Sequence, residues 1–411
     1  MNTSQPFDSS ATDSGYVETD LSLHCSAGLE APIDAAHWSA PPSGHRIVAL
    51  PRYPATGLTD HLSRVDETLA EAMDDLGRLW ATEFDDDGHL DVLNDRDLPA
   101  FITQLLNNGG KRIRPAMCYL GWLSAHGTVR EVGRQNVVTV GAALELLHVF
   151  ALIHDDVMDE SASRRGQPSV HAQAIEMHRT SEAQGSSQRF GESIAMLVGD
   201  LAHAEADSLA AGLPAEMRKI WRVLVVELVC GQRRDLTGSV AGRRDLDHAR
   251  QVARMKSGSY TVERPLQLGA AAVNASADVR SRLATYGREV GEAFALRDDL
   301  LGVWGDPALT GKPAGDDLVS GKPTVIMSLA QQRVLGEGRR VLARVGTPEL
   351  TPADVALLQD ALRDCGVVDA VETMISAHLD TALSALDDDV LHPEGIAGLT
   401  QMAHQIAWRT R

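Results

Sequence analysis

A chain of 411 residues, 44% hydrophobic and 23% charged, has enough apolar material for a sizeable core, which excludes disorder throughout. Its formal net charge of -19 excludes a nucleic-acid binder, because a surface of that sign repels a phosphate backbone on average. Cys25, Cys118, Cys230 and Cys365 are scattered without paired metal-ligand spacing, so no disulfide framework or zinc site is implied and reduced thiols are expected.

The opening stretch MNTSQPFDSSATDSGYVETD lacks the basic start and apolar run of a signal peptide, and no run of about 18 uncharged apolar residues follows. A cytoplasmic protein without stable membrane insertion is expected. Residues 1–58 are rich in Ser, Thr, Asp and Pro and show no sustained periodicity, so they read as a flexible tail without catalytic duty. From Leu58 onward, segments such as LSRVDETLAEAMDDLGRLW and IWRVLVVELVCGQRRDL place apolar residues three and four apart, the spacing of helices. Glycine and proline interruptions separate them, strand-like alternation is scarce, and no fixed-period repeat occurs. Residues 59–411 therefore read as one all-α domain.

GGKRIRP, residues 109–115, brings Lys111, Arg112 and Arg114 into a short glycine-freed turn before a helix, a shape suited to a diphosphate. The next helix, GAALELLHVFALIHDDVMDE over residues 141–160, is largely apolar yet carries His148, His154, Asp155, Asp156 and Asp159. Asp155 and Asp159 lie one turn apart on one face, with His148 on nearly the same stripe. Neighbouring carboxylates repel each other, and a hard divalent cation relieves this by bridging them to phosphate oxygens. RRGQPSVH, residues 164–171, follows with Arg164 and Arg165. Farther on come GQRRDL with Gln232 and Asp235, KSG with Lys256 and Ser257, and a glycine-interrupted stretch holding Asp298, Asp299, Asp306, Lys312, Asp316, Asp317 and Lys322. Two basic clusters flanking paired carboxylates in an acidic chain suit two diphosphates, one bound with metal and one without.

In this order, GGKRIRP, DDVMD, RRGQPSVH, GQRRDL, KSG and RDDLLGVWGD with the following GKPAGDDL resemble the trans-prenyl diphosphate synthases. The resemblance is densest over residues 105–325. It implies an isoprenoid-synthase-type antiparallel helix bundle around a deep central cavity, Mg2+ as cofactor, and a homodimer. It further implies that Lys111, Arg114, His148 and Arg165 hold isopentenyl diphosphate, that Asp155, Asp159 and Asp298 hold magnesium, and that Arg164, Lys256, Ser257, Lys312 and Lys322 hold the allylic diphosphate. The chemistry implied is ionisation of the allylic substrate, attack by the isopentenyl double bond and loss of a proton, with Asp155, Asp159, Arg164, Lys256 and Asp298 carrying the catalysis.

Two positions depart from the family pattern. Gly302 stands where a second Asp-Asp-x-x-Asp motif has its last carboxylate, so one ligand is missing or comes from Asp299, Asp306 or water, and Ala295 stands where a glutamine often contacts the allylic diphosphate. In the same family the residues four and five before the first aspartate help set the cavity floor; here these are Ala151 and Phe150. The small-after-aromatic pair resembles synthases of geranylgeranyl diphosphate, the C20 product. Synthases of C15 or of C25 and longer, a regulatory subunit of a heteromeric synthase, and a class I terpene cyclase are the competing expectations. The GGKRIRP pocket speaks against the cyclase, which needs no second diphosphate site.

Overall fold

A computed structural model of the chain describes residues 57–84, 92–93, 97–127, 133–164, 166–307, 313–386 and 389–410. The tail expected over residues 1–58 therefore lies outside the described residues except at its last two positions, as does Cys25. The chain rises into α1 (Leu58–Leu79), whose buried positions Leu58, His61, Val65, Leu69, Met73 and Leu76 recur every three or four residues and form a single apolar stripe. Next come α2 (Leu98–Asn107) and α3 (Ile113–Ser124). The N-cap of α2 is Asp97, whose carboxylate accepts the Leu98 amide at 2.7 Å.

The helix α4 (Arg134–Met158) is buried on nearly every side through its middle turns, from Val140 to Leu147, and α1, α3 and α6 (Ser187–Ala211) pack around it. By length and composition it could cross a membrane, with a window of mean hydropathy 1.9, although Glu145 interrupts the apolar run. Of that window 67% is buried within the fold, as befits a central core helix. The helix stops because Glu160 adopts φ 52°, a left-handed backbone that no helix continues.

A two-residue antiparallel ladder follows, β1 (Ser163–Arg164) against β2 (Gln167–Pro168), turning through Gly166 at φ 72°. Helices α5 (Val170–Thr180), α6, α7 (Ala215–Val240) and α8 (Leu246–Val252) lead into a π-helical stretch, Ala253–Glu263, and α9 (Arg264–Ala272). That stretch is pressed between α7 and α10 (Ala277–Trp304) by missing side chains: a methyl group on Gly231 would fall 2.6 Å from the Lys256 amide nitrogen, and one on Gly258 would fall 2.6 Å from the Gly291 carbonyl oxygen.

The remaining helices are α11 (Asp316–Val319), α12 (Val325–Arg333), α13 (Gly336–Leu342), α14 (Pro352–Asp364), α15 (Val367–Ser384) and α16 (Pro393–Ala407). Arg297 of α10 fastens the end of the chain: it donates to the Ala407 carbonyl at 2.7 Å and forks onto Glu372 of α15 at 2.8 and 2.6 Å. Apart from the short β ladder the described residues are helices and their connections, the all-α architecture expected from the periodicity. Cys118, Cys230 and Cys365 are free thiols.

Candidate active site

Both acidic regions occupy the wrong end of a helix. Backbone carbonyls make a helix C-terminus partly negative, so carboxylates there are unfavourable unless cations answer them. Asp155 and Asp156 sit in the last turn of α4 with Asp159 as its C-cap, and Asp298 and Asp299 lie in the last two turns of α10. Asp155, Asp298 and Asp299 line one cavity of about 710 Å³, along with Lys111, Arg114, His148, Arg164, Asp235, Lys256, Ser257, Asp316, Asp317 and Lys322. The cations needed are present.

Arg164 reaches back across the β turn to Asp156, with Nε donating to Oδ1 at 2.9 Å, and its Nη2 stands 3.6 Å from Asp155. Lys256 bridges Asp155 at 2.8 Å and Asp235 at 2.6 Å. Lys322 meets Asp159 at 2.8 Å and Asp317 at 3.6 Å. Gln232 adds an amide hydrogen bond to Asp155 at 3.2 Å. Burial opposes the charge on Asp155, but Lys256, Lys322 and Arg164 outweigh it and hold that carboxyl well below the usual carboxylate range. Burial equally disfavours the Lys322 ammonium, yet Asp317, Asp159 and Asp155 raise it well above the usual lysine range. Asp299 differs: burial, reinforced by Asp317, pushes its carboxyl well up, and it accepts the Val325 amide at 3.2 Å at the start of α12.

The basic side of the cavity is built on α3, α4 and the π-helical stretch. Arg114 donates to Thr261 Oγ1 at 3.0 Å and lies 4.0 Å over the Tyr260 ring, whose hydroxyl meets His148 Nδ1 at 2.6 Å. Arg112 belongs to the same cationic turn in sequence but does other work. Held at φ 47°, it donates to Asp66 at 3.0 Å, to Glu145 at 2.7 Å and to the Leu106 carbonyl at 3.2 Å, tying the turn to α1, α2 and α4.

The sequence-derived set thus converges in large part. Lys111, Arg114, His148, Asp155, Arg164, Lys256, Ser257, Asp298 and Lys322 face one cavity, and Asp159 joins them through Lys322. Arg165 and Lys312 lie outside the described residues. Phe150 and Ala151 are not in this cavity lining; the Phe150 ring stacks on His203 of α6 at 4.6 Å and meets His154 edge-on at 4.7 Å. Ala295 is buried in the cavity wall. Sequence reasoning missed Arg409, which comes from the far end of the chain, pairs with Asp298, donates to the Phe294 carbonyl at 3.2 Å and stacks 3.9 Å over the Phe294 ring. A lone arginine after an apolar helix carries no local signal. Tyr260 was missed for a similar reason.

The donor set suits a hard cation. Carboxylate oxygens from two helix ends face one cavity, and lysine ammonium groups stand between the pairs as the counter-charge such ends require. Among the described residues no three His, Cys, Asp or Glu side chains close on one point, so phosphate or water oxygens would complete any coordination sphere. Magnesium characteristically binds that way, through one or two carboxylates and substrate phosphates.

A family model described as polyprenyl synthetase matches residues 95–362. The chain is 31% identical over 296 residues to the geranylgeranyl diphosphate synthase of Mycobacterium tuberculosis, covering 71% of this chain and 78% of that one. It is 29% identical over 291 residues to the geranylfarnesyl diphosphate synthase of Aeropyrum pernix, covering 69% and 84%. Among solved structures it is similar to a geranylgeranyl pyrophosphate synthase from Corynebacterium glutamicum, complexed with isoprenyl diphosphate and magnesium, with TM-score 0.79, 35% identity and coverage of 86% and 99%.

Proposed function

The chain belongs to the polyprenyl synthetase family and is a prenyltransferase, and from that premise we propose that it joins isopentenyl diphosphate to dimethylallyl, geranyl or farnesyl diphosphate, with C20 geranylgeranyl diphosphate as its main product. The observation that carries this reading is one cavity with two kinds of lining: Lys111, Arg114 and His148 on the one hand, and Asp155 and Asp159 with their lysines and Asp298 with Arg409 on the other. Two diphosphates need two such subsites, and a prenyl cyclase needs one.

Asp155, Asp159 and Asp298 would hold magnesium together with phosphate oxygens, and the bound ion would supply Lewis acidity and charge neutralisation at the leaving group. Arg164, Lys256 and Lys322, engaged with carboxylates as described, become donors to the allylic diphosphate when its oxygens take their place, and stabilise the charge that grows on it as the carbon–oxygen bond breaks. Lys111, Arg114 and His148 orient isopentenyl diphosphate so that its double bond faces the allylic carbon. Apolar wall residues such as Val252, Phe294 and Leu301 keep water from the cation. The departing diphosphate takes the proton, so no protein base is assigned.

Product length is the finer part of the reading. It rests on the family resemblance of the small-after-aromatic pair Ala151 and Phe150; the Phe150 ring itself packs on His154 and His203, outside the cavity lining. The enzyme acts as a homodimer through exposed apolar side chains on α6 and α7, among them Met196, Leu197, Val223, Val226 and Val229, each about half exposed in the single chain.

Purified protein with Mg2+, isopentenyl diphosphate and each allylic starter, followed by dephosphorylation and mass spectrometry, tests the proposal. A dominant C20 alcohol is expected. C15 or C25 and longer products would overturn the length assignment, and no elongation would overturn the function. Light scattering should give twice the 44.2 kDa chain mass; a monomer would remove the dimer.

A further inference from the structure

The second acidic stretch, Asp298 to Gly302, ends one carboxylate short of the first, Asp155 to Asp159. Neither sequence neighbour makes up the difference. Asp299 is engaged at the Val325 amide, and Asp306 is exposed and absent from the cavity lining. The space beside Gly302 is nevertheless filled. A methyl group on Gly302 would stand 2.5 Å from Asp317 Cγ and collide with its Oδ2, so the Asp317 carboxylate occupies the place a side chain at 302 would take.

Backbone hydrogen bonds fix this arrangement: the Gly315 amide donates to the Gly302 carbonyl at 3.2 Å, and the Lys322 amide donates to the Asp317 carbonyl at 3.1 Å. Asp317 lines the same cavity as Asp155 and Asp298. Its Oδ1 is 3.6 Å from the Lys322 ammonium, which meets Asp159 at 2.8 Å, so one cation links a carboxylate of each acidic region.

We infer that Asp317, fifteen residues beyond Gly302 and carried by α11, supplies the carboxylate that the Asp298–Gly302 stretch lacks and acts beside Asp298 as an oxygen donor toward magnesium. Glycine at 302 and aspartate at 317 are then one device: a larger residue at 302 evicts the carboxylate, and its loss at 317 leaves the glycine uncompensated. The inference rests on the reading of the cavity as a magnesium diphosphate site.

The test is Mn2+ binding with inorganic diphosphate, followed by electron paramagnetic resonance, so that no prenyl chemistry is needed. Asp317→Asn should raise the Mn2+ midpoint roughly tenfold, whereas Asp306→Asn, removing the same charge outside the cavity, should move it less than about twofold. Moving the carboxylate in the double variant Gly302→Asp with Asp317→Gly should bring the midpoint back to within about threefold of the parent. An unchanged Asp317→Asn midpoint, an equal shift in Asp306→Asn, or a double variant with a parental thermal midpoint that fails to recover binding would each overturn the assignment. Should the double variant not fold, the two single variants decide. No saturable binding by the parent protein would instead sink the reading of the site itself.

Discussion

Replacing Lys256 by methionine keeps side-chain length and removes the ammonium that bridges Asp155 at 2.8 Å and Asp235 at 2.6 Å. The Lys256 and Asp235 side chains are 19% and 8% exposed, so water takes over little of the lost interaction. Breaking one partner out of a buried ion pair costs about 3 to 5 kcal/mol. Gln232 and Arg164 still reach Asp155 at 3.2 and 3.6 Å, which places the expected loss at the lower end, about 3 kcal/mol. Urea unfolding of parent and variant reads this directly, and Mg2+ with inorganic diphosphate should narrow the gap, because a second source of positive charge then faces the same carboxylates. Turnover with farnesyl and isopentenyl diphosphates should fall by about 100- to 1,000-fold through loss of a donor to the leaving group. A variant that unfolds within about 0.5 kcal/mol of the parent, or that keeps kcat within about threefold, would refute the placement of Lys256 at the centre of the site.

Burial lowers the His61 pKa from 6.5 to about 4, the Pro115 carbonyl and Asp60 opposing and Arg134 and Arg64 adding to the shift. The folded state thus prefers the neutral ring, so its contribution is complete above about pH 6.5 and drains away as pH falls toward 4, reaching about 3 kcal/mol; His61→Leu should flatten that segment of the stability profile, and an unchanged slope would reject it. Tyr260→Phe deletes the hydroxyl at 2.6 Å from His148 and should raise KM for isopentenyl diphosphate about fivefold, an effect of about 1 kcal/mol, with kcat and the allylic KM little changed; a shift confined to the allylic KM would reverse the subsite assignment. Phe150→Ala should lengthen the products seen by mass spectrometry, and an unaltered chain length with intact activity would remove Phe150 from the floor.

Residues whose role depends on local spacing were readable before any coordinates. The apolar repeat of α1 and the largely apolar run of α4 define helices by themselves, and the four-residue interval from Asp155 to Asp159 places both at one helix end. Arg164 was recognisable as a cation close to those aspartates, although the two-residue ladder that turns it back onto Asp156 was not. What stayed hidden depends on contacts between distant segments. Arg112 has the same charge as Lys111 and Arg114 but faces Asp66 and Glu145, because its left-handed backbone aims it there. Arg409 reaches Asp298 only because Arg297 and Glu372 anchor the end of α16, and Asp317 fills the space beside Gly302 only through the fold of the intervening loop. Phe150 shows the same limit from the other side, since its ring partner His203 is set by the packing of α6 on α4.

The tight seating of the π-helical stretch also bears on how this chain can drift. Gly231, Gly258 and Gly291 bring backbone against backbone, and Gly258 and Gly291 crowd each other reciprocally, a methyl on Gly291 falling 3.0 Å from the Gly258 carbonyl carbon. No substitution at one of them is relieved by shrinking a neighbour, because the obstacle is main chain. Gly212, at the end of α6, has nothing within 4 Å of an added methyl group and is free to vary. Gly212 and Gly231 therefore sit at opposite extremes: an added methyl group meets nothing at Gly212, while at Gly231 it meets main chain that no side-chain change relieves, so the position of Lys256 is a fixed property of the backbone around it.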